Sequence, residues 1–202
     1  GLVADISHQT KTPLANIQLY LERLEHGAED ASLVAKLGAQ VEKLDFLLAN
    51  MVKISRLETG AVRIQKQQAL LADTLADALS VIVPKADAKQ IRLSVDYDET
   101  MTLNHDRRWT AEALANLLDN AVKYSDEDSD VTVSVHRENA YAVVISVSDH
   151  GTGISDEEKE KVFDMFYTGG SRSSDSRRSL GLGLALCRSC LLYTSDAADD
   201  KA

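Results

Sequence analysis

Apolar residues in the first third of the chain recur at intervals of three and four, the spacing that lines up one face of a helix. Val3, Thr10, Ile17 and Leu24 repeat every seven residues, and Ser7, Leu14 and Leu21 complete a heptad seam. A second seam runs through Leu37, Val41, Leu44, Leu48, Met51 and Ser55. Between the two, residues 26–32 (HGAEDAS) bring a glycine, two acids and a serine, which read as a turn and a fresh helix start. The pattern predicts a helical hairpin. Its second helix, 32–58, would run about 40 Å at 1.5 Å per residue. That is too long and narrow to bury its own seam, so pairing of two copies into a four-helix bundle is expected.

Beyond residue 61 the rhythm changes. Residues 61–65 alternate weakly, 70–83 form an amphipathic helix stopped by Pro84, and 91–95 alternate as a strand. Residues 107–124 read as a helix, 131–135 and 141–147 as further strands, and glycine-rich loops follow. Helices mixed with neighbouring antiparallel strands indicate an α+β domain over residues 62–189, after the hairpin of 1–61.

Charge and composition narrow the chemistry. The 202 residues carry 32 acidic side chains against 22 basic ones, a net charge of -10, and only 5% are aromatic. A nucleic-acid partner is not expected, because it requires a basic face and stacking rings. Any contact with polyphosphate must be local. No apolar run approaches the 18 or so residues of a membrane span, and the opening GLVADISHQT has no export pattern, although an upstream segment could carry one. Cys187 and Cys190 form a single CxxC with neither a second pair nor nearby histidines to complete a zinc site.

Three segments carry candidate chemistry. In NLLDNAVKYS, Asn116 and Asn120 lie four apart and share a helix face opposite Leu114, Leu117 and Leu118. Amide oxygens suit a hard cation such as Mg²⁺, and Lys123 could reach a phosphate; a solvated polar face is the alternative. In SDHGTGIS, Asp149 could accept from an exocyclic amine while Gly151 and Gly153 let the backbone approach a ligand, or the segment is simply a turn. In residues 171–180, three arginines (Arg172, Arg177, Arg178) oppose one acid, Asp175. A flexible basic loop suits an anion such as the ATP γ-phosphate; a surface loop is the alternative. The occurrence of all three in this order is much less accidental than any one alone.

At this point the segments resemble a known family. ADISHQTKTPL around His8 resembles the phosphoacceptor box of sensor histidine kinases, and NLLDNAVKYS resembles their N box. DHGTGIS is similar to their first glycine box, VFDMFY to their F box and GLGLAL to their second glycine box. The resemblance spans about residues 1–189. It implies a dimerisation and phosphotransfer hairpin followed by a Bergerat-type ATP-binding α/β sandwich that uses ATP and Mg²⁺. It further implies transfer of the γ-phosphoryl group to His8 and then to an aspartate on the receiver domain of a response regulator. Residue by residue, His8 matches the phosphoacceptor, and Thr12 matches the position that orients water for dephosphorylating the regulator. Asn116, Asn120, Lys123 and Tyr124 match the magnesium and phosphate positions, with Asn120 as metal ligand. Asp149, Gly151 and Gly153 match the adenine site, Phe166 lies in the F box, and Gly181 and Gly183 anchor the lid. A homodimer is implied, as the cytoplasmic part of a bacterial protein anchored in the inner membrane by a segment before Gly1.

The chain departs from the family pattern at three places. Gln9 stands where a carboxylate commonly follows the histidine; it can accept a hydrogen bond but cannot take up a proton. Ser179 replaces a glycine at the start of the second glycine box. After Ser189 two more strands are expected, whereas the chain reads CLLYTSDAADDKA, so residues 190–202 are expected to be a foreign tail. Two other readings remain open: an inactive dimerisation and nucleotide-binding module, and another Bergerat-fold ATPase of the chaperone or mismatch-repair kind. The phosphoacceptor box and hairpin upstream of the N box argue against the latter.

Overall fold

The computed structural model describes residues 2–26, 31–62, 64–139, 142–167 and 181–196. Two long helices, α1 (Leu2–Glu25) and α2 (Ala31–Glu58), pack on each other as the expected hairpin. Pro13 is buried inside α1, where its missing N–H leaves the carbonyl of Gln9 without an intrahelical donor, yet the helix continues through it. The seam divides. Ile17 and Leu24 are partly covered, while Leu14, Leu21, Val41 and Leu48 are 49%, 46%, 48% and 55% exposed in the single chain.

The remainder alternates strands and helices: β1 (Gln67–Leu70), α3 (Leu71–Ser80), α4 (Val83–Ala88), β2 (Arg92–Asp96), β3 (Thr102–His105), α5 (Arg107–Tyr124), β4 (Asp130–Arg137), β5 (Val143–Ser148) and α6 (Gly183–Asp196). β4 pairs in parallel with β2 and antiparallel with β5, with Leu93 opposite Val131 and Val133 opposite Val147. Val131, Val133 and Val135 point to one face of β4 and are buried, while Thr132 and Ser134 on the other face are partly exposed. That alternation marks a sheet with one covered face. The cover consists of α3, α4, the turn between them and α5, which bring Leu75, Ile82, Leu114 and Leu118 into one apolar cluster with the valines.

Two local features differ from the sequence pattern. β1 begins at Gln67 and pairs with β3, a ribbon that the sequence pattern does not announce. Four residues are too few to establish a period. The helix expected over 70–83 is two helices, and Pro84 opens α4 instead of ending α3. In the first helical turn a missing N–H has no partner to lose. At the end of the described chain α6 runs to Asp196 with Cys190 buried, while residues 197–202 lie outside the described residues.

A second apolar cluster joins the hairpin to the α/β part. Leu47, Ile54 and Leu57 of α2 meet Trp109 and Ala113 of α5 and Leu186, Cys187 and Cys190 of α6. Lys53 donates to Glu112 at 2.6 Å on the rim of that cluster. The division near residue 61 therefore falls in a covalent linker, while packing runs across it.

Candidate functional site

α5 starts where Asp106 caps it: Oδ1 accepts from the Trp109 amide at 3.2 Å and Oδ2 from the Gln65 amide at 2.8 Å. With its N-terminus fixed and Leu114, Leu118 and Ala121 buried, the helix turns Asn120 and Tyr124 toward the loop that follows β5. The two meet across a cavity of about 570 Å³. Asn120, Tyr124, Asp149, Gly151 and Gly153 line it on one side, and Gly181 and Gly183 at the start of α6 close the other. Its apolar wall includes Leu117, Val147 and Ile154. Polar groups at an apolar cleft are the usual make-up of a small-molecule site.

The glycines have separate reasons. At Gly151 a Cβ would lie 2.6 Å from the Tyr124 carbonyl oxygen, so only a hydrogen fits between the loop and the end of α5. The Gly151 amide donates to Asp149 Oδ1 at 2.8 Å, which fixes the carboxylate at the cavity mouth. Gly153 has φ +72° with open space around it, and Gly181 has φ +62° with the Tyr167 carbonyl oxygen 2.3 Å from where a Cβ would stand. Both lie in the left-handed region that glycine adopts without steric cost.

Other expected site residues lie elsewhere. Asn116 donates to the Glu112 carbonyl at 2.8 Å, and its Oδ1 faces Gly183, where a Cβ would stand 3.1 Å away; it braces α6 against α5 and does not line the cavity. Lys123 lies over the neighbouring Tyr124 ring, 4.8 Å from its centroid, at the edge of the site. Phe166 has φ +67° and its amide donates to the Gly181 carbonyl at 2.9 Å, while its ring joins the hairpin-facing cluster. The adjacent Tyr167 does line the cavity, and its hydroxyl donates to Glu158 at 2.9 Å. Burial, reinforced by that carboxylate, pushes the Tyr167 phenol up. Pattern reading missed Tyr167, Thr152 and Val162; the F-box segment was the available signal for two of them. The arginines of 171–180 and Ser179 lie outside the described residues.

His8, Gln9 and Thr12 stand on α1, with His8 and Thr12 exposed and Gln9 partly covered. Thr12 Oγ1 donates to the His8 carbonyl at 3.5 Å. The cysteine pair is buried in the hairpin-facing cluster, and burial pushes the Cys187 thiol up to about 11 and the Cys190 thiol to about 12. Protonated, shielded thiols are poor nucleophiles and ligands. No group of three or more metal-ligating side chains occurs among the described residues.

Comparison with known proteins fits both halves of this geometry. Residues 1–60 match the family model of the His Kinase A (phospho-acceptor) domain. Residues 105–196 match that of the histidine kinase-, DNA gyrase B- and HSP90-like ATPase. The chain belongs to the sensor histidine kinases. Among its relatives, the sensor-like histidine kinase SenX3 of Mycobacterium tuberculosis is 33% identical over 191 residues, covering 92% of the chain and 46% of SenX3. The chain thus spans less than half of that relative's length. The fold matches the histidine kinase AdeS of Acinetobacter baumannii, with a TM-score of 0.76 and 24% identity over 92% of this chain and 86% of that one. It also matches histidine kinase ThkA in complex with response regulator protein TrrA, with a TM-score of 0.69 and 22% identity over 82% and 50% of the two chains. No described helix is long and apolar enough to cross a membrane.

Proposed function

We propose that this histidine kinase phosphorylates itself on His8 from ATP and passes the phosphoryl group to an aspartate on the receiver domain of a response regulator. The observation that carries the reading is the convergence of Asn120, Asp149, Gly151 and Gly181 on one cavity in a chain that also exposes His8 on a long helix. Asp149, held by the Gly151 amide, has a second carboxylate oxygen to accept from the adenine amine, and Leu117, Val147 and Ile154 face the flat base. The Asn120 side chain lines the cavity and makes no hydrogen bond among the described residues, so its amide oxygen is available to Mg²⁺. One protein oxygen fits that ion, which keeps several waters and binds substrate phosphates. When bound, Mg²⁺ would offset charge on the phosphates as the bond to the leaving group breaks.

The chain's own part is positioning. The unprotonated imidazole nitrogen of His8 attacks the γ-phosphorus, the bond to the bridging oxygen breaks, ADP leaves, and the other ring nitrogen loses its proton to solvent. Gln9 can orient the ring but cannot take that proton. Leu14, Leu21, Val41 and Leu48, exposed in one chain, would be covered by a second copy in a four-helix bundle. Thr12, one turn beyond His8, would orient water for hydrolysis of the regulator's aspartyl phosphate. As a sensor kinase core, the chain would sit on the cytoplasmic side of a membrane-anchored bacterial protein.

Incubation with γ-labelled ATP and Mg²⁺ tests this directly. Label should be lost in acid and survive alkali, as a phosphoramidate does, and should be absent from His8→Ala. Label that persists in His8→Ala would refute the assignment.

A further inference from the structure

Lys89 lies outside every motif quoted above, in the turn that ends α4, yet its side chain reaches the far end of α5. Its Nζ donates to the carbonyls of Val122 at 3.2 Å, Lys123 at 2.9 Å and Ser125 at 3.1 Å. Its own carbonyl accepts from the Asp128 amide at 3.2 Å, so both ends of the residue hold the segment that leaves the helix. An α-helix leaves its last four carbonyls without intrahelical donors. Here the Ser125 amide serves Ala121 at 3.0 Å, and the Lys89 ammonium serves Val122 and Lys123. A cation also belongs at the negative end of the helix dipole.

That same turn forms part of the cavity. Asn120, Ala121 and Tyr124 line it, and the Tyr124 carbonyl packs so closely on Gly151 that a Cβ there would approach to 2.6 Å. Gly151 in turn holds Asp149 through its amide. The end of α5 therefore sets where the Asp149 carboxylate stands relative to Asn120. We infer that Lys89 is a positioning residue for the nucleotide site: its ammonium clamps the last turn of α5 so that Asn120, Tyr124 and Asp149 face the same ligand. The inference rests on the nucleotide reading above. An ammonium has three donors, which is the number of carbonyls it meets here. Methionine would keep the apolar stem and lose all three.

The test is binding of a fluorescent trinitrophenyl-ATP, with Mg²⁺, to the native chain and to Lys89→Met, Lys89→Arg and Asp149→Asn. Lys89→Met is expected to weaken binding about tenfold, in keeping with loss of charge-assisted hydrogen bonds at one clamp. Lys89→Arg, which still donates to carbonyls, should recover affinity to within about threefold of native. Hydrogen exchange should show lost protection confined to residues 120–128. If Asp149→Asn weakens binding and Lys89→Met does not, the positioning role is overturned while the nucleotide site stands. If neither variant changes binding, the nucleotide reading itself falls, and this inference with it. Protection lost uniformly across α3 and β4 would show Lys89 to be a general structural residue and overturn the proposal. Should Lys89→Met fail to fold, Lys89→Gln is held to the same criteria.

Discussion

Three glycines around one cavity should respond to alanine in a fixed order, because the structure gives each a different physical reason. Gly153 has φ +72° and nothing within 4 Å of a Cβ, so Gly153→Ala meets only the left-handed backbone penalty. That is about 1–2 kcal/mol, offset by roughly 0.4–1 kcal/mol from the stiffer unfolded chain. A net loss of about 1 kcal/mol should lower the melting temperature by about 2–4 °C in a chain of this size. Gly151 carries no left-handed penalty, but its Cβ would lie 2.6 Å from the Tyr124 carbonyl oxygen and 2.9 Å from Asp149 Oδ1. The first is backbone, and the second is held by the Gly151 amide. Overpacking of this kind costs about 1–3 kcal/mol. Gly181 combines both, with φ +62° and a Cβ 2.3 Å from the Tyr167 carbonyl oxygen. Its alanine variant should lose about 2–5 kcal/mol. Thermal unfolding followed by circular dichroism should therefore rank Gly153→Ala mildest and Gly181→Ala most severe. Nucleotide titration adds a second axis: Gly151→Ala should weaken binding beyond its effect on stability, because the displaced atoms belong to Tyr124 and Asp149. A Gly153→Ala protein that melts as low as Gly181→Ala, or a Gly151→Ala protein with native affinity, would refute the reasoning.

Leu57 is 1% exposed in the cluster that joins α2 to the α/β part, so Leu57→Ala should cost about 2–5 kcal/mol. The chain's single tryptophan, Trp109, shares that cluster, and its emission should shift to the red in the variant; an unchanged spectrum would contradict the packing. The buried thiols set an alkaline limit: unfolded cysteines ionise near 9, whereas Cys187 is held up to about 11 and Cys190 to about 12. Above pH 9 the unfolded chain holds fewer protons than the folded one, so stability should fall as pH rises, and Cys187→Ala with Cys190→Ala should flatten that slope in pH-dependent melting. Gln9→Glu should change the autophosphorylation rate by about tenfold or less, below the ~10²- to 10⁴-fold of full general-base catalysis; a thousandfold gain would show that Gln9 limits the native reaction.

Periodicity in the sequence determined the long elements, because a helix of five turns or more repeats its apolar spacing often enough to be read locally. Hence α1, α2 and α5 follow their patterns closely, and β4 shows its buried valines in alternation. The short β1–β3 ribbon could not be read this way, since four residues hold no period and its pairing joins Gln67 to His105. The meaning of Pro84 likewise depended on which helix it began. Site chemistry was legible where a residue type is uncommon for its local setting: two asparagines on a helix face and paired glycines after a strand. Which of these residues share the cavity was decided only in three dimensions. Asn116 and Asn120 sit on one helix four residues apart, yet one braces α6 and the other faces the cavity, because the start of α6 packs over the first. Lys89 gave no sequence signal, since an exposed-looking lysine after a short helix is ordinary; only the fold places it against three open carbonyls. Local pattern reports what a segment does with its own neighbours. Contacts between segments distant in sequence depend on how their packed faces close together, and that is set by the tertiary structure.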